Sequence, residues 1–210
     1  MKSLIYIIIL SLTAACLNAQ MKIDKHLDFS GKSKVTLDIQ ISDSIRIVTW
    51  NKNEVYVTAS VNVNENKDND AYKTEFIDNG NNLVVKTHLD ENYFKGRKNN
   101  CCNETEIFWV AYLPERAALS VESINADITI TGKTGPMNVK SISGFIDLTV
   151  PESRSASVDF STISGTIYSN HLLTSLDTHN GVPSRVKYNL NNGGEAIKLE
   201  TISGDIFFRK

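Results

Sequence analysis

The 210-residue chain has few cysteines, few prolines and no long apolar run after its amino terminus. A helix that crosses a bilayer needs about 20 consecutive apolar residues, and no segment after residue 20 approaches that length, so no transmembrane span is expected there. The formal net charge is −2 with both signs interspersed, and the densest cationic stretch, residues 95–98, is interrupted by Gly96. Nucleic-acid binding needs a basic stripe or patch, so that class of partner is excluded.

Cysteine is confined to three positions, Cys16, Cys101 and Cys102. A bond within the adjacent pair Cys101-Cys102 would close a strained ring, although an exported compartment can oxidise thiols. A vicinal disulfide, a bridge to another molecule, a soft-metal site and a loop pair without a role all stay open. No further Cys or His pair stands nearby at zinc-site spacing, so neither a metal nor a cofactor is predicted.

The amino terminus has the order of a secretory signal peptide. Lys2 precedes an apolar run over residues 4–12, and small and polar residues follow as far as Ala19. We therefore expect an exported protein, located in the periplasm, on the outer surface or in the medium. An alternative uses Cys16, because residues 12–16 approximate a lipobox, whose cysteine carries a lipid anchor. Thr13 stands where lipoboxes usually have Leu, which favours the form without an anchor.

Apolar and polar residues alternate from Val35 onward. The alternation is found in residues 35–41, 45–47, 55–57 and 61–63. A period of two, with abundant Val, Ile and Thr, indicates β-strands. Asn79-Gly80 between two apolar runs predicts a β-hairpin, residues 107–113 predict a further strand, and residues 66–76 predict one short helix. The predicted fold class is all-β.

Four segments in the second half repeat one pattern: apolar, any, Ser or Thr, Ile, Ser or Asn, Gly or Ala, any, Ile. They begin at Val121, Val139, Phe160 and Leu199. Four ungapped copies argue against chance similarity. The last interval is about twice the others, so a degenerate copy is expected inside it. Residues 176–183 fit, with His179 and Pro183 in place of the two isoleucines.

A unit of about 20 residues cannot bury its own apolar face, so neighbouring units must stack. The alternation slips at the first Ile, which indicates a corner where Gly supplies either a positive φ or room for the next unit to approach closely. Two inner columns are therefore expected, one of Ile124, Ile142 and Ile163 and one of Ile128, Ile146 and Ile167. The hydroxyls expected to face outwards are those of Ser141, Ser143, Ser161, Ser164, Thr201 and Ser203. Such stacking is typical of a parallel β-helix or β-roll solenoid.

The Ser-Ile-Ser-Gly-x-Ile segments, the closing residues 201–210 and the upstream residues 45–57 resemble the DUF4097 family of adhesin-like bacterial proteins. The resemblance covers nearly all of residues 20–210 and implies a β-helical fold. It brings no catalytic residue with it. The sequence departs from the family pattern at Asn125-Ala126, which replaces Ser-Gly in the first unit, at residues 176–183 and at Cys101-Cys102. We expect less regular structure at these three places.

The expected organisation is a signal peptide over residues 1–19 and a single adhesin-like β-solenoid domain over residues 20–210. Within that domain, residues 20–113 form a less regular, strand-rich half and residues 114–210 form the repeat half.

The sequence contains no known catalytic spacing, such as Gly-x-Ser-x-Gly or His-Glu-x-x-His. The histidines are scattered along the chain, at His26, His88, His171 and His179. No column of carboxylates or arginines repeats with the units. Residues 64–75 have a calcium-loop spacing, but Asn69 stands where such loops need Gly. No catalytic, cofactor-binding or metal-ligating residue is therefore predicted.

We expect a non-enzymatic, exported cell-envelope protein that presents a hydroxyl-rich face to envelope proteins or glycans. Two alternatives stay open. One is a periplasmic accessory or stress-response protein with a lipid anchor at Cys16. The other is a degenerate β-helix enzyme that acts on glycans, since such enzymes build sites from side chains on successive coils.

Overall fold

The computed structural model describes residues 20–90, 93, 104–171, 175–180 and 182–210, with residues 175–180 described through their backbone alone. The predictions for the signal peptide, for Cys16 and for Cys101-Cys102 lie outside these residues. No helix among the described residues is both long and apolar enough to span a bilayer.

The described chain forms 17 strands and one short 3-10 helix, Asn69–Ala71. The strands are β1 (Met21–Asp28), β2 (Lys34–Ile39), β3 (Ser44–Trp50), β4 (Glu54–Val63), β5 (Tyr72–Asp78), β6 (Asn82–Leu89), β7 (Thr105–Pro114), β8 (Ala118–Ser123), β9 (Asp127–Thr131), β10 (Met137–Ser143), β11 (Ile146–Thr149), β12 (Ala156–Ser164), β13 (Ile167–Ser169), β14 (Ser175–Asn180), β15 (Ser184–Leu190), β16 (Glu195–Ser203) and β17 (Ile206–Arg209). The all-β prediction is confirmed.

Two mixed sheets contain all of these strands. Sheet 1 has the order β1-β4-β7-β3-β9-β11-β17-β13, and sheet 2 has the order β14-β15-β12-β16-β10-β8-β2-β6-β5. Pairing is parallel in the middle of both sheets, and antiparallel where β1 meets β4, β4 meets β7, β5 meets β6, and β15 meets β12 and β14. The architecture is solenoid-like, but a regular parallel β-helix does not extend through the whole chain.

Each repeat unit contributes one strand to each sheet. The units are β8–β9, β10–β11, β12–β13 and β16–β17, and β2–β3 has the same arrangement. They do not stack in chain order, because β16 lies between β10 and β12, and β17 lies between β11 and β13. The hairpin β14–β15 folds back on β12 and occupies its other edge, so the last unit pairs on the side that remains.

The prediction of a degenerate repeat unit at residues 176–183 is wrong. Strand β14 instead forms an antiparallel hairpin with β15, which pairs antiparallel with β12. Pro183 lies between the two hairpin strands and has no N–H to donate to a continuing ladder. Val186 of β15 packs against the core, and Tyr188 of the same strand is buried in it.

One apolar core lies between the two sheets and contains buried residues of both. Phe160 of sheet 2 meets Phe208 of sheet 1 with ring centroids 5.2 Å apart. In the first half of the chain, the buried indole of Trp109 donates a hydrogen bond to the Tyr72 hydroxyl across 2.9 Å. Burying a side chain of this size contributes about 1.5–3 kcal/mol, so the inner faces of both sheets stabilise the fold.

The repeated glycines mark corners where adjacent units nearly touch. A Cβ atom on Gly204 would lie 2.0 Å from the carbonyl oxygen of Gly144, and one on Gly165 would lie 2.0 Å from that of Gly204. No heavier residue fits at that separation without moving the backbone. The predicted role of these glycines is confirmed.

The local predictions for the first half have mixed outcomes. The hairpin around Asn79-Gly80 is confirmed as β5–β6, and the strand predicted over residues 107–113 lies within β7. The helix predicted over residues 66–76 is limited to the three-residue Asn69–Ala71, because β5 begins directly afterwards and pairs with β6.

Candidate functional site

The column of Ile124, Ile142 and Ile163 that was expected inside the core faces solvent. These side chains are 43%, 48% and 49% exposed, and Ile202 of the last unit is 47% exposed. The prediction is wrong because the slip in alternation falls after the isoleucine and not at it. Val139 and Ser141 point inwards, for example, so Ile142 necessarily points outwards, and the chain turns the corner beyond it.

The four exposed isoleucines form a continuous ladder across the outer edge of sheet 2. In stacking order, the isoleucine ladder consists of Ile124, Ile142, Ile202 and Ile163. Backbone hydrogen bonds fix this register, with the Ser143 N–H donating to the Ile124 carbonyl across 2.7 Å and the Gly204 N–H donating to the Ser164 carbonyl across 3.0 Å. Neighbouring strands lie about 4.8 Å apart, so three steps carry the ladder over about 14 Å.

The repeated hydroxyls divide between the two faces. Ser143, Ser161, Ser164 and Ser203 lie on the outer face as expected. Ser141 and Thr201 are only 4% exposed, so the prediction that they face outwards is wrong. Alternation places this position inside, where Ser141 donates a hydrogen bond to the Ser143 carbonyl across 2.7 Å and so satisfies a carbonyl of the corner.

A row of mostly charged side chains runs beside the ladder, two residues before each isoleucine, and extends onto β2 and β15. From one end of the stack to the other, the charged row consists of Asp38, Glu122, Lys140, Glu200, Ser161 and Arg185. The Lys140 Nζ lies 3.8 Å from the Glu200 Oε2, and the Arg185 guanidinium donates two hydrogen bonds to the Asp159 carboxylate, at 2.6 and 2.9 Å. That pair holds the pKa of the Asp159 carboxyl below its usual range.

The ladder and the members of the charged row other than Arg185 line an open groove of about 540 Å³. Gln40 lies at one end, where the Ile124 N–H donates to its carbonyl, and Pro183 lies at the other end, beyond Ile163. Sequence reasoning missed this site. The signal was present, since each unit has its two isoleucines four residues apart with a corner between them, which places them on opposite faces.

The three histidines whose side chains the structure describes do not come together. His26 lies on β1 and stacks on Tyr56, His88 lies on β6, and His171 is buried against Phe208. The side chain of His179 is outside the described residues. Within the part of the chain that the structure describes, no group of three or more His, Cys, Asp or Glu side chains is arranged to hold a metal ion.

The segment with calcium-loop spacing uses its polar side chains on itself. The Asn64 amide donates to Asp68, Asn66 accepts from the Asn69 amide, and Asn69 accepts from the Val63 N–H across 2.8 Å. These oxygens close the connection between β4 and β5, which accounts for the Asn-rich sequence without a metal ion.

A second surface feature lies on the outer face of sheet 1, where His26, Tyr56, Tyr112 and Trp50 stack on one another. Their ring centroids are 4.2–6.3 Å apart and the rings are within 30° of parallel. Rings stacked in this way cover each other's faces, which stabilises the antiparallel part of the sheet. The isoleucine ladder lacks such mutual cover and is the better candidate for binding.

Comparisons with known proteins agree with the repeat analysis. The family model described as Toastrack DUF4097 matches residues 116–208. A solved structure of a "putative cell adhesion protein" from Clostridium sporogenes ATCC 15579 superimposes with a TM-score of 0.56 at 10% identity, over 91% of this chain and 99% of that one. At 10% identity, this similarity supports the fold and says nothing about function.

Two further solved structures share less of the geometry. A "putative adhesin" from Bacteroides fragilis NCTC 9343 has a TM-score of 0.24 at 9% identity, over 91% of this chain and 98% of that one. A "putative lipid binding protein" from Parabacteroides distasonis ATCC 8503 has a TM-score of 0.27 at 11% identity, over 90% and 97%. No curated protein matches the sequence.

Proposed function

We propose that the protein, whose residues 116–208 match the Toastrack DUF4097 family model, is a non-enzymatic, exported cell-envelope module that binds a protein partner through the isoleucine ladder. Export rests on the signal-peptide pattern of residues 1–19. The solved structure that superimposes with a TM-score of 0.56 supports the fold, and the proposed binding role rests on the exposed face of sheet 2.

The observation that carries the proposal is the continuity of the ladder. Single exposed apolar side chains are common on soluble proteins, but a contiguous row marks an interaction surface. Here four units that are distant in sequence each place an isoleucine at the same outer position, and each of these side chains is close to half exposed. The core does not need them, because each unit also supplies an inward isoleucine: Ile128, Ile146 and Ile206 are fully buried and Ile167 is partly buried.

The surroundings of the ladder have the anatomy of a protein–protein interface. An apolar centre bordered by polar side chains is the usual arrangement. The charged row lies on one side, and Ser143, Ser203 and Ser164 lie on the other. Such a rim gives orientation to a partner, while the apolar centre supplies most of the free energy of binding.

The binding test uses the fluorescently labelled protein on intact cells of the bacterium that produces it. We expect saturable binding that falls at least tenfold in the double variant Ile142→Glu/Ile202→Glu, because the new carboxylates would have to be desolvated. Phe108→Glu is the matched control, since Phe108 is 46% exposed on sheet 1, away from the ladder. Equal binding by the wild type and the double variant would contradict the proposal.

Export and the absence of catalysis are separate parts of the proposal with separate tests. Amino-terminal sequencing of the protein recovered from the culture should find Gln20 first, whereas acyl labelling that depends on Cys16 would replace the unanchored form by the anchored one. Purified protein should leave a panel of bacterial polysaccharides unchanged, and reproducible cleavage of any of them would overturn the non-enzymatic assignment.

A further inference from the structure

The charge pattern and the repeat of the ladder identify a partner, and this inference rests on the proposed function. We propose that the isoleucine ladder binds a second copy of the same chain, face to face, with the two stacks of units running in opposite directions. In this arrangement Ile142 of one copy lies against Ile202 of the other, and Ile124 lies against Ile163.

The spacing of the ladder favours another ladder over an extended peptide. The isoleucines repeat at the distance between hydrogen-bonded strands, about 4.8 Å. Side chains on one face of an extended peptide repeat at about 6.7 Å, so a peptide that lies along the row loses register after about two contacts. A second copy has the same repeat and can meet every isoleucine of the first.

The charged row is complementary to itself when one stack is reversed. Counting from opposite ends, Asp38 meets Arg185, Glu122 meets Ser161, and Lys140 meets Glu200. No like charges oppose each other. Both ion pairs occur twice in the dimer, because a two-fold axis relates the copies.

A second row, which lies beside the charged row on the side away from the ladder, also avoids contacts between like charges when one stack is reversed. It consists of Thr36, Ser120, Asn138, Lys198, Asp159 and Lys187. Reversal places Lys187 opposite Thr36, Lys198 opposite Asn138, and Asp159 opposite Ser120. Two adjacent rows without a like-charge contact support the antiparallel arrangement, since such contacts would suppress it.

The parallel arrangement is less favourable. If the two stacks ran in the same direction, a face-to-face contact would reverse the strands, and the charged row of one copy would lie against the serines beyond the ladder of the other. Glu122 and Lys140 would then lose solvent without gaining a partner of opposite charge.

The size of the face predicts a weak dimer. Six strands at about 4.8 Å and five residues at about 3.3 Å give about 450 Å² per copy, against about 800 Å² for a stable interface. Contacts of this size suit association between surfaces that carry many copies, where multivalency raises the overall affinity.

The first test is sedimentation velocity of the purified protein from about 1 µM to about 1 mM, the range in which weak dimers dissociate. We expect a concentration-dependent dimer whose dissociation constant rises at least tenfold in Ile142→Glu and in Ile202→Glu, and is unchanged in Phe108→Glu. A wild type that stays monomeric throughout, or a dimer that the ladder variants leave intact, overturns the inference.

The second test determines the direction of the stacks. Ile124→Cys and Ile163→Cys are prepared separately in a chain whose Cys101 and Cys102 are replaced by serine. Mixing the two should give dimers linked by a bismaleimide that spans about 10 Å, the distance at which two sheets pack face to face. Ile124→Cys alone should be linked far less, because its copies also lie about 14 Å apart along the stack. Efficient linkage of Ile124→Cys to itself overturns the antiparallel arrangement.

Cell binding separates this inference from the proposed function. Labelled protein should bind wild-type cells and fail to bind cells from which the gene has been deleted. Ladder-dependent binding that persists on the deleted cells would leave the binding function standing and overturn the second copy as its partner.

Discussion

The inner and outer isoleucine columns of the repeat half contain the same residue type in the same units, yet they differ in environment. Ile128, Ile146 and Ile206 are fully buried between the sheets. The isoleucine of the ladder lies four residues earlier in each of these units and is close to half exposed. One corner separates the two positions. Whether an isoleucine of these units is buried therefore depends on its place in the in–out alternation before or after the corner, and not on its hydrophobicity.

This difference separates stability from association. The inner column has no contact with solvent, and its methyl groups contribute free energy to folding alone. The ladder contributes less to folding, because each of its side chains stays close to half exposed in the folded chain. It therefore needs another reason to be apolar, which association with a partner supplies.

The largest expected effect comes from truncating the two columns in parallel. Ile146→Ala should lower the free energy of unfolding by about 2–5 kcal/mol, because it leaves a cavity in a close-packed core. Ile142→Ala, four residues earlier, should change it by less than about 0.5 kcal/mol. Urea denaturation of both variants at a concentration where the protein is monomeric checks the pair, and similar losses would erase the distinction between the columns.

The corner between the columns provides the next test. Gly204→Ala should destabilise the protein by about 1–3 kcal/mol or more, since its Cβ would overlap the Gly144 carbonyl and the units would have to separate. Gly31→Ala is the matched control, with a φ of +74° and no atom within 4 Å, so it should cost only about 1 kcal/mol of backbone strain. If thermal unfolding ranks Gly31→Ala as the costlier change, the close approach does not require glycine.

The inward hydroxyls beside the corner should respond unequally to an isosteric change. Thr162 donates a hydrogen bond to the Gly204 carbonyl across 3.0 Å, and Thr162→Val should cost about 1 kcal/mol by leaving that carbonyl without its donor. The buried Thr201 hydroxyl has no hydrogen-bond partner among the described residues, so Thr201→Val should be neutral or stabilising. Equal losses in denaturation experiments would show that Thr201 has a partner after all.

The smallest effect concerns the polar side of the groove. The Arg185 guanidinium lowers the pKa of Asp159, so this pair stabilises the folded state above the unfolded pKa and loses its contribution as the pH falls through the lowered, folded value. Asp159→Asn should cost about 0.5 kcal/mol at neutral pH and nothing below the folded pKa. A cost that stays constant across the acid range would assign the loss to packing instead of charge.

The sequence predicted the class of fold better than the arrangement of its parts. Period-two alternation and the Ser-Ile-Ser-Gly units were sufficient for the all-β fold, the corners and the column of Ile128 and Ile146, because these follow from local geometry. The insertion of the last unit between β10 and β12 could not be predicted, since four similar units can pair in several orders with nearly equal local energies.

The candidate site was missed for a more specific reason. Ile142 was predicted to lie inside because the alternation was taken to slip at the isoleucine. The slip falls after it, and a shift of one residue reverses the face on which a side chain lies. Counting the alternation from the buried Val139 and Leu199 places Ile142 outside and Ser141 and Thr201 inside.

One isoleucine column of the repeat half is buried and the other is a contact surface, and the relaxation of isoleucine methyl groups by a soluble paramagnet distinguishes the two. With labelled isoleucine methyls and dilute protein, we expect strong relaxation enhancement at Ile124, Ile142, Ile163 and Ile202, and almost none at Ile128, Ile146 and Ile206. Raising the protein concentration should reduce the relaxation enhancement in the first group only. Equal enhancement in both groups, or strong protection of the ladder in dilute solution, would contradict the account.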